Sequence, residues 1–170
     1  GETFAPTMDF VRHYYPAGTS YEMRRTDGRP LFLAYRVSRE DIAGYIGLKG
    51  TYTSASGGSR AVERHDTILS FQWSADLPQG IIPPFSAQWD GSLFAPMFGS
   101  YRLHLEGNGD AVLYLDDRPV LRMAKGEGPA VTSLALAKGW HRLRLDYTAD
   151  GGSLRLLWQQ PGRNLEVISS

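Results

Sequence analysis

The stretch GNGDAVLYLDDRPVL, residues 107 to 121, sets two acidic spots a few residues apart. Asn108-Gly109-Asp110 precedes an apolar run, and Asp116-Asp117 follows it. Side-chain oxygens gathered in this way can hold a hard cation, because Ca2+ takes about six to eight oxygen ligands. A cation so held can in turn hold sugar hydroxyls. The same residues also suit plain turns: Asn-Gly is a common tight-turn dipeptide, and Asp side chains accept local backbone N–H groups. On residue chemistry alone Asp150-Gly151 reads as a hairpin turn.

Other chemistries find less support. His13, His65, His104 and His141 are scattered without metal-ligand spacing. No Gly-X-Ser-X-Gly elbow is present, so a hydrolase triad has no footing. There is no cysteine, which excludes a disulfide framework, a thiolate nucleophile and a Cys-ligated zinc. Lys+Arg and Asp+Glu are both 18, giving a formal charge of zero. Binding to nucleic acid or an anionic membrane needs a clustered excess of cations, and none is found. With 42% hydrophobic and 21% charged residues the chain suits a globular protein. No stretch approaches the ~20 apolar residues of a membrane span. The N-terminus GETFAPTMDF lacks a Met start and a signal-like core, so a fragment of a longer protein is expected.

The elements that must position these residues fall into two groups. Residues 1–45 read as a small αββα annex, the end of a preceding domain. Thr7 and Ser38 are candidate helix caps, and two extended runs flank Asp27-Gly28, a hairpin signal. Residues 46–170 read as almost wholly β. LKGTYTS, ILSFQWS, FSAQWDGSLFA, GSYRLHLEG, AVLYLDD, PVLRM, VTSLALA, WHRLRLDYT and SLRLLWQQ are short runs bounded by Gly, Pro, Asp or Asn. Tyr101, Leu103 and Leu105 alternate with Arg102, His104 and Glu106, as in half-buried strands with one wet face. Strands joined by short turns predict a mainly β fold, an antiparallel sandwich or barrel. Trp73 is expected in its core. Trp140 follows Gly139 at a strand start and reads either as an exposed aromatic platform or as partly buried.

The order GLKGTY (47–52), ILSFQWS (68–74), FSAQWDGSLFAPMFGSYRLHLEGNGDAVLYLDDRPVL (85–121) and LAKGWHRLRLDYTADGGSLRLLWQQPG (136–162) resembles the PA14 domain, named for a bacterial toxin's protective antigen. The likeness covers roughly residues 47–168. It implies a β-sandwich or barrel-like module, outside the cytoplasm, that binds glycans or acts as a spacer and is not itself the catalyst. It places Trp89 and Trp158 in the core. Residues 1–45, through FVRHYYPAG and YEMRRTDGRPLFLAYRVSRED, are similar to soluble C-terminal segments of membrane glycosyltransferases of the protein mannosyltransferase type.

Calcium-dependent sugar-binding members of the family carry an Asp-Asp pair just before the central strand. With AVLYL aligned as that strand, the pair falls at Asn108-Gly109, with Asp110 next. Two carboxylates are therefore missing where the resemblance implies them. Asp116-Asp117 lies at the other end of the strand, where members typically have Asp-Gly, and is expected to be a turn. The family site is completed from the loop YTADGGS, here Thr148 and Asp150. The candidate carbohydrate-binding residues are thus Asn108, Gly109, Asp110, Trp140, Thr148 and Asp150, and the candidate metal ligands Asn108, Asp110 and Asp150. No cofactor is expected unless Ca2+ binds at this altered corner. The expected function is a non-catalytic, extracellular or periplasmic carbohydrate-recognition or accessory module, with a glycan or glycosylated acceptor as partner. The expected parent is a larger carbohydrate-active protein, a membrane-anchored glycosyltransferase. The alternative is a structural or protein-interaction β-sandwich.

Overall fold

The computed structural model describes residues 47–55 and 61–168, together with the backbone of two short strands in the N-terminal segment. Those two, β1 (Arg24–Thr26) and β2 (Arg29–Leu31), pair antiparallel with Thr26 opposite Arg29, and the turn expected at Asp27-Gly28 lies outside the described residues. The helices expected on either side of this hairpin lie outside the described residues. By its contacts the chain divides into Gly1–Ile46 and Gly47–Ser170.

The second unit is a mainly β, antiparallel sandwich of the kind the sequence predicts. Its strands are β3 (Leu48–Ser54), β4 (Val62–Asp66), β5 (Ser70–Gln72), β6 (Phe85–Ala95), β7 (Gly99–Leu115), β8 (Arg118–Met123), β9 (Ala130–Leu136), β10 (Gly139–Gln159) and β11 (Leu165–Val167). A single helical turn, α1 (Trp73–Asp76), follows β5. The expected strand ILSFQWS therefore stops at Gln72. There the Asp76 carboxylate accepts from the Gln72 N–H at 2.6 Å, and the Trp73 indole N–H reaches the Tyr147 hydroxyl at 3.1 Å.

Two long strands build both layers. The first half of β10 lies between β6 and the second half of β7, and β3, β4 and β8 extend that layer in the order β4-β3-β6-β10-β7-β8. The second half of β10 pairs with β5, β11 and the first half of β7, which carries β9 on its other side. GSYRLHLEG and AVLYLDD are thus one strand rather than two, and so are WHRLRLDYT and SLRLLWQQ. Neither Asn108-Gly109 nor Asp150-Gly151 is a turn.

Continuity through these Gly-rich points comes from a bulge. While β7 moves from Gly109 to Gly107, β10 moves from Ala149 to Leu154. The uneven step flips the side chains of β10. Leu143, Leu145, Tyr147 and Ala149 point inward before it, and Leu154, Leu156 and Trp158 after it. Gly152 takes φ +82°, and a Cβ there would strike the Asn108 side chain. A Cβ on Gly109 would strike the Thr148 carbonyl. Only glycine lets the strands approach this closely.

The core holds Trp73, Trp89 and Trp158, all buried as expected, with Tyr52, Phe71, Phe85 and Tyr147 around the first two. No helix among the described residues is long and apolar enough to cross a membrane.

Candidate functional site

The corner singled out by the sequence lies where β7 and β10 cross from one layer to the other. Thr148 and Asp110 are direct partners across the β10–β7 ladder, and Thr148 is opposite Ser86 on β6. All three project onto the outer face, since their odd-numbered neighbours Ala111, Tyr147 and Ala149 are buried. Asn108 Oδ1 accepts from the Ser153 N–H at 3.0 Å and from the Ser153 hydroxyl at 3.2 Å. Asn108 thus stitches the bulge of β10 to β7, and its oxygen is committed to that task.

Lys125 completes the corner. It follows β8 in a turn closed by the Glu127 N–H on the Ala124 carbonyl at 3.0 Å, with Gly126 at φ +84°. The turn aims the Lys125 N–H at Asp110 Oδ1, 3.0 Å away, and brings its ammonium onto Asp150 Oδ2. The hydrogen bond to Asp150, then the Asp150 charge, with a smaller contribution from Asp110, raises the Lys125 pKa above its ordinary value against a small opposing effect of burial. The lysine is therefore a cation at neutral pH, seated between two carboxylates.

These residues do not fit a calcium ion. Asn108 is spent on Ser153, one Asp110 oxygen on a backbone N–H and one Asp150 oxygen on an ammonium. Ca2+ takes about six to eight oxygens. Among the described residues, no group of three or more His, Cys, Asp or Glu side chains could hold a metal.

Two shallow grooves adjoin the corner on the outer face. One, of about 390 Å3, runs between β10 and β8 past Asp110, Arg122, Glu127, Asp146 and Thr148. The other, of about 370 Å3, runs toward β3 past Thr51, Thr53, Ser86, Gln88 and Arg144. Asp146, Tyr147 and Thr148 line both, so a ridge on β10 divides one surface on which polar side chains alternate with apolar ones such as Ala111, Val112 and Met123. Arg144 is fixed on it by a contact of 3.1 Å to Asp146 and by lying 4.0 Å over the Tyr114 ring. Hydroxyls, a carboxamide, carboxylates and guanidinium groups together offer the donors and acceptors that polyhydroxylated ligands use.

Trp140 is not part of this corner. It is 56% exposed, as its platform reading requires, and its ring lies 5.0 Å from that of Phe94 on β6. Thr148 lies eight residues further along β10, roughly 26 Å at the usual strand rise. Asp116-Asp117 is the expected turn: Leu115 pairs with Arg118, and both aspartates have positive φ, +49° and +64°. Asp116 accepts from the Arg142 N–H at 2.9 Å and contacts His141 Nδ1 at 2.7 Å, so its carboxylate serves β10 and not its own loop.

Lys125 and Asp146 are not among the residues that the sequence singles out. The signal for Lys125 was present. Once Asp116-Asp117 is a two-residue hairpin loop, counting back along both strands brings the AKGEG segment beside Asp110. Asp146 shares the outward face of β10 with Thr148, which strand alternation already implied.

A family model described as PA14 domain matches residues 45–170. Among solved structures the chain is similar to an anti-sigma factor domain-containing protein at 22% identity and TM-score 0.62, covering 74% of this chain and 46% of that one. It is also similar to the Epithelial Adhesin 6 A domain from Candida glabrata in complex with Galb1-3GlcNAc, at 12% identity and TM-score 0.61, covering 74% and 84%. A third is a PA14 sugar-binding domain from an RTX adhesin, at 14% identity and TM-score 0.58, covering 72% and 94%. The chain thus spans less than half the length of the anti-sigma factor domain-containing protein it matches. No curated protein matched it. The bulged crossing of two long strands, the buried tryptophans and the family match over residues 45–170 agree: the chain belongs to the PA14 domain family.

Proposed function

We propose that residues 46–170 form a non-catalytic carbohydrate-recognition module, working outside the cytoplasm as an accessory part of a larger carbohydrate-active protein, a membrane glycosyltransferase. The observation that carries this reading is the pair of adjoining grooves, in which the polar side chains of Asp110, Asp146 and Thr148 stand among apolar ones. Such a surface matches a glycan, whose hydroxyls both donate and accept and whose affinity comes from several aligned hydrogen bonds. Two of the similar structures, the PA14 sugar-binding domain from an RTX adhesin and the Epithelial Adhesin 6 A domain in complex with Galb1-3GlcNAc, favour the same chemistry here. The glycosyltransferase parent rests on the likeness of residues 1–45 to soluble segments of such enzymes.

A glycan array followed by titration calorimetry, run with and without Ca2+, tests the recognition role. Binding that is lost in Thr148→Val or Asp146→Ala supports it, and no binding in either buffer sinks it. For the parent, deleting residues 46–170 and assaying transfer separates an accessory role from a catalytic one. An accessory module leaves turnover on small acceptors intact.

A second reading, a protein-interaction module, is favoured by one observation. Phe94, Met97, Phe98 and Trp140 are all exposed toward the end of the sheet where β6 turns into β7. It predicts a domain whose melting temperature ignores sugars and whose partner is a protein.

A further inference from the structure

We propose that Lys125 stands in for a metal ion at the β7–β10 crossing, so that this corner binds its sugar through an ammonium and two carboxylates without calcium. The inference rests on the carbohydrate-recognition reading and specifies its chemistry. The backbone holds the lysine in place: its N–H is fixed on Asp110 Oδ1 at 3.0 Å, and the Gly126 turn fixes where the side chain starts. Its ammonium contacts Asp150. That carboxylate lies beyond Thr148 on the strand paired with Asp110, so Lys125 links the two strands as a shared cation would.

Both side chains remain more than half exposed, Lys125 at 57% and Asp150 at 64%. The ammonium has three donors, of which Asp150 takes one. Asp110 Oδ2 and Asp150 Oδ1 make no hydrogen bond among the described residues. The corner therefore offers donors flanked by two acceptors. That pattern suits a vicinal diol of a neutral sugar, in which one hydroxyl accepts from the ammonium while its neighbour donates to a carboxylate. A calcium site would coordinate both hydroxyls through the ion. Here the recognition is made by hydrogen bonds, and its strength follows the protonation of Lys125 and the ionic strength rather than free Ca2+.

Two measurements separate this inference from the reading beneath it. The first needs no sugar. Calorimetric titration of the domain with CaCl2, and melting curves in CaCl2 against EDTA, should show no binding and no shift. A stoichiometric site with Kd below about 1 mM, the range of extracellular calcium modules, overturns the proposal. The second takes the glycans bound in an array and measures them in EDTA. Affinity should persist there, fall at least about tenfold in Lys125→Met, and be partly retained in Lys125→Arg. Lys138→Met, an equal loss of charge elsewhere, should bind as the parent does. Near-unfolded melting in Lys125→Met would void that variant, and Asp150→Asn then takes its place with the same expected loss. Glycan binding that requires Ca2+ or is indifferent to Lys125 and Asp150 overturns the inference while leaving sugar recognition standing. Absence of glycan binding in any buffer removes the recognition reading itself, and the calcium titration still decides whether the corner holds a metal.

Discussion

His141 is nearly buried, and both of its ring nitrogens face oxygens: Nδ1 lies 2.7 Å from Asp116 Oδ2, and Nε2 lies 2.9 Å from the Ala137 carbonyl. A neutral imidazole has one N–H and leaves one of these oxygens facing a lone pair, whereas the imidazolium donates to both. Burial, the largest single influence, pulls the His141 pKa down. The bonds to Ala137 and Asp116 and the Asp116 charge together outweigh it, so the value rises above the ordinary 6.5. The hydrogen bond from His141 lowers Asp116 below its ordinary 3.8, against a smaller effect of burial and with help from the Arg142 N–H. The histidine's contribution to stability is therefore complete below pH 6.5 and is lost as pH rises through its folded value. The aspartate's contribution is complete above 3.8 and is lost as pH falls through its own lowered value. Melting temperature should peak between these limits and decline toward pH 8, and the decline should vanish in His141→Gln. A profile that is flat from pH 5.5 to 8 in the parent would refute the coupling. None of this pairing was legible in the sequence, because Asp116 and His141 are 25 residues apart.

Among the elements, the turn and the bulge make opposite demands on the backbone. Asp117, in the second place of the β7–β8 loop, holds φ +64°, a region that costs a residue with a Cβ and suits glycine. Its contact with Arg142 is 3.2 Å between exposed side chains and contributes little. Asp117→Gly should therefore stabilise the domain, by roughly 0.5 kcal/mol, read from the midpoint of urea unfolding. Gly152→Ala should do the reverse. Its φ of +82° is strained for alanine, and the new methyl group meets Asn108. A loss of about 2 kcal/mol or more is expected, together with faster amide exchange at Ser153, whose N–H is held by Asn108. The hairpin at Asp116-Asp117 was readable because its chemistry is local. The crossing was not, because Asn-Gly and Asp-Gly announce a turn unless a neighbouring strand straightens them.

On the scale of the whole molecule, Asp66 ties the edge strand β4 to the core. It is 7% exposed and accepts from the Tyr52 hydroxyl at 2.5 Å, the Trp89 indole at 2.8 Å and Arg64 Nε at 2.6 Å. Burial first, then the Asp66 bond and charge, raise the Tyr52 pKa far above its ordinary range, so the phenol stays protonated as a donor. Gly50 leaves room for this cluster, since a Cβ there would crowd the Asp66 carboxylate and the Trp89 indole. Asp66→Ala strands three donors around one hole and should cost about 3–5 kcal/mol in equilibrium unfolding. A loss below 1 kcal/mol would show that water replaces the carboxylate at this site. The strand is not legible in the sequence, because VERHD carries charges at alternate positions and in between, and no apolar rhythm marks it.

By itself the sequence determined the fold class and the Asp116-Asp117 turn, and its resemblance to the family placed Trp89 and Trp158 in the core. The first two follow from short-range rules: alternation along a strand and the backbone needs of a two-residue loop. Tertiary structure alone decided that two pairs of short runs are two long strands, that Trp140 stands far from Asp110 and Thr148, and that Lys125 fills the space between Asp110 and Asp150. The reason is that register and bulges are set by cross-strand partners distant in sequence. Whether an oxygen is open to a cation depends on which donor the fold has already brought to it.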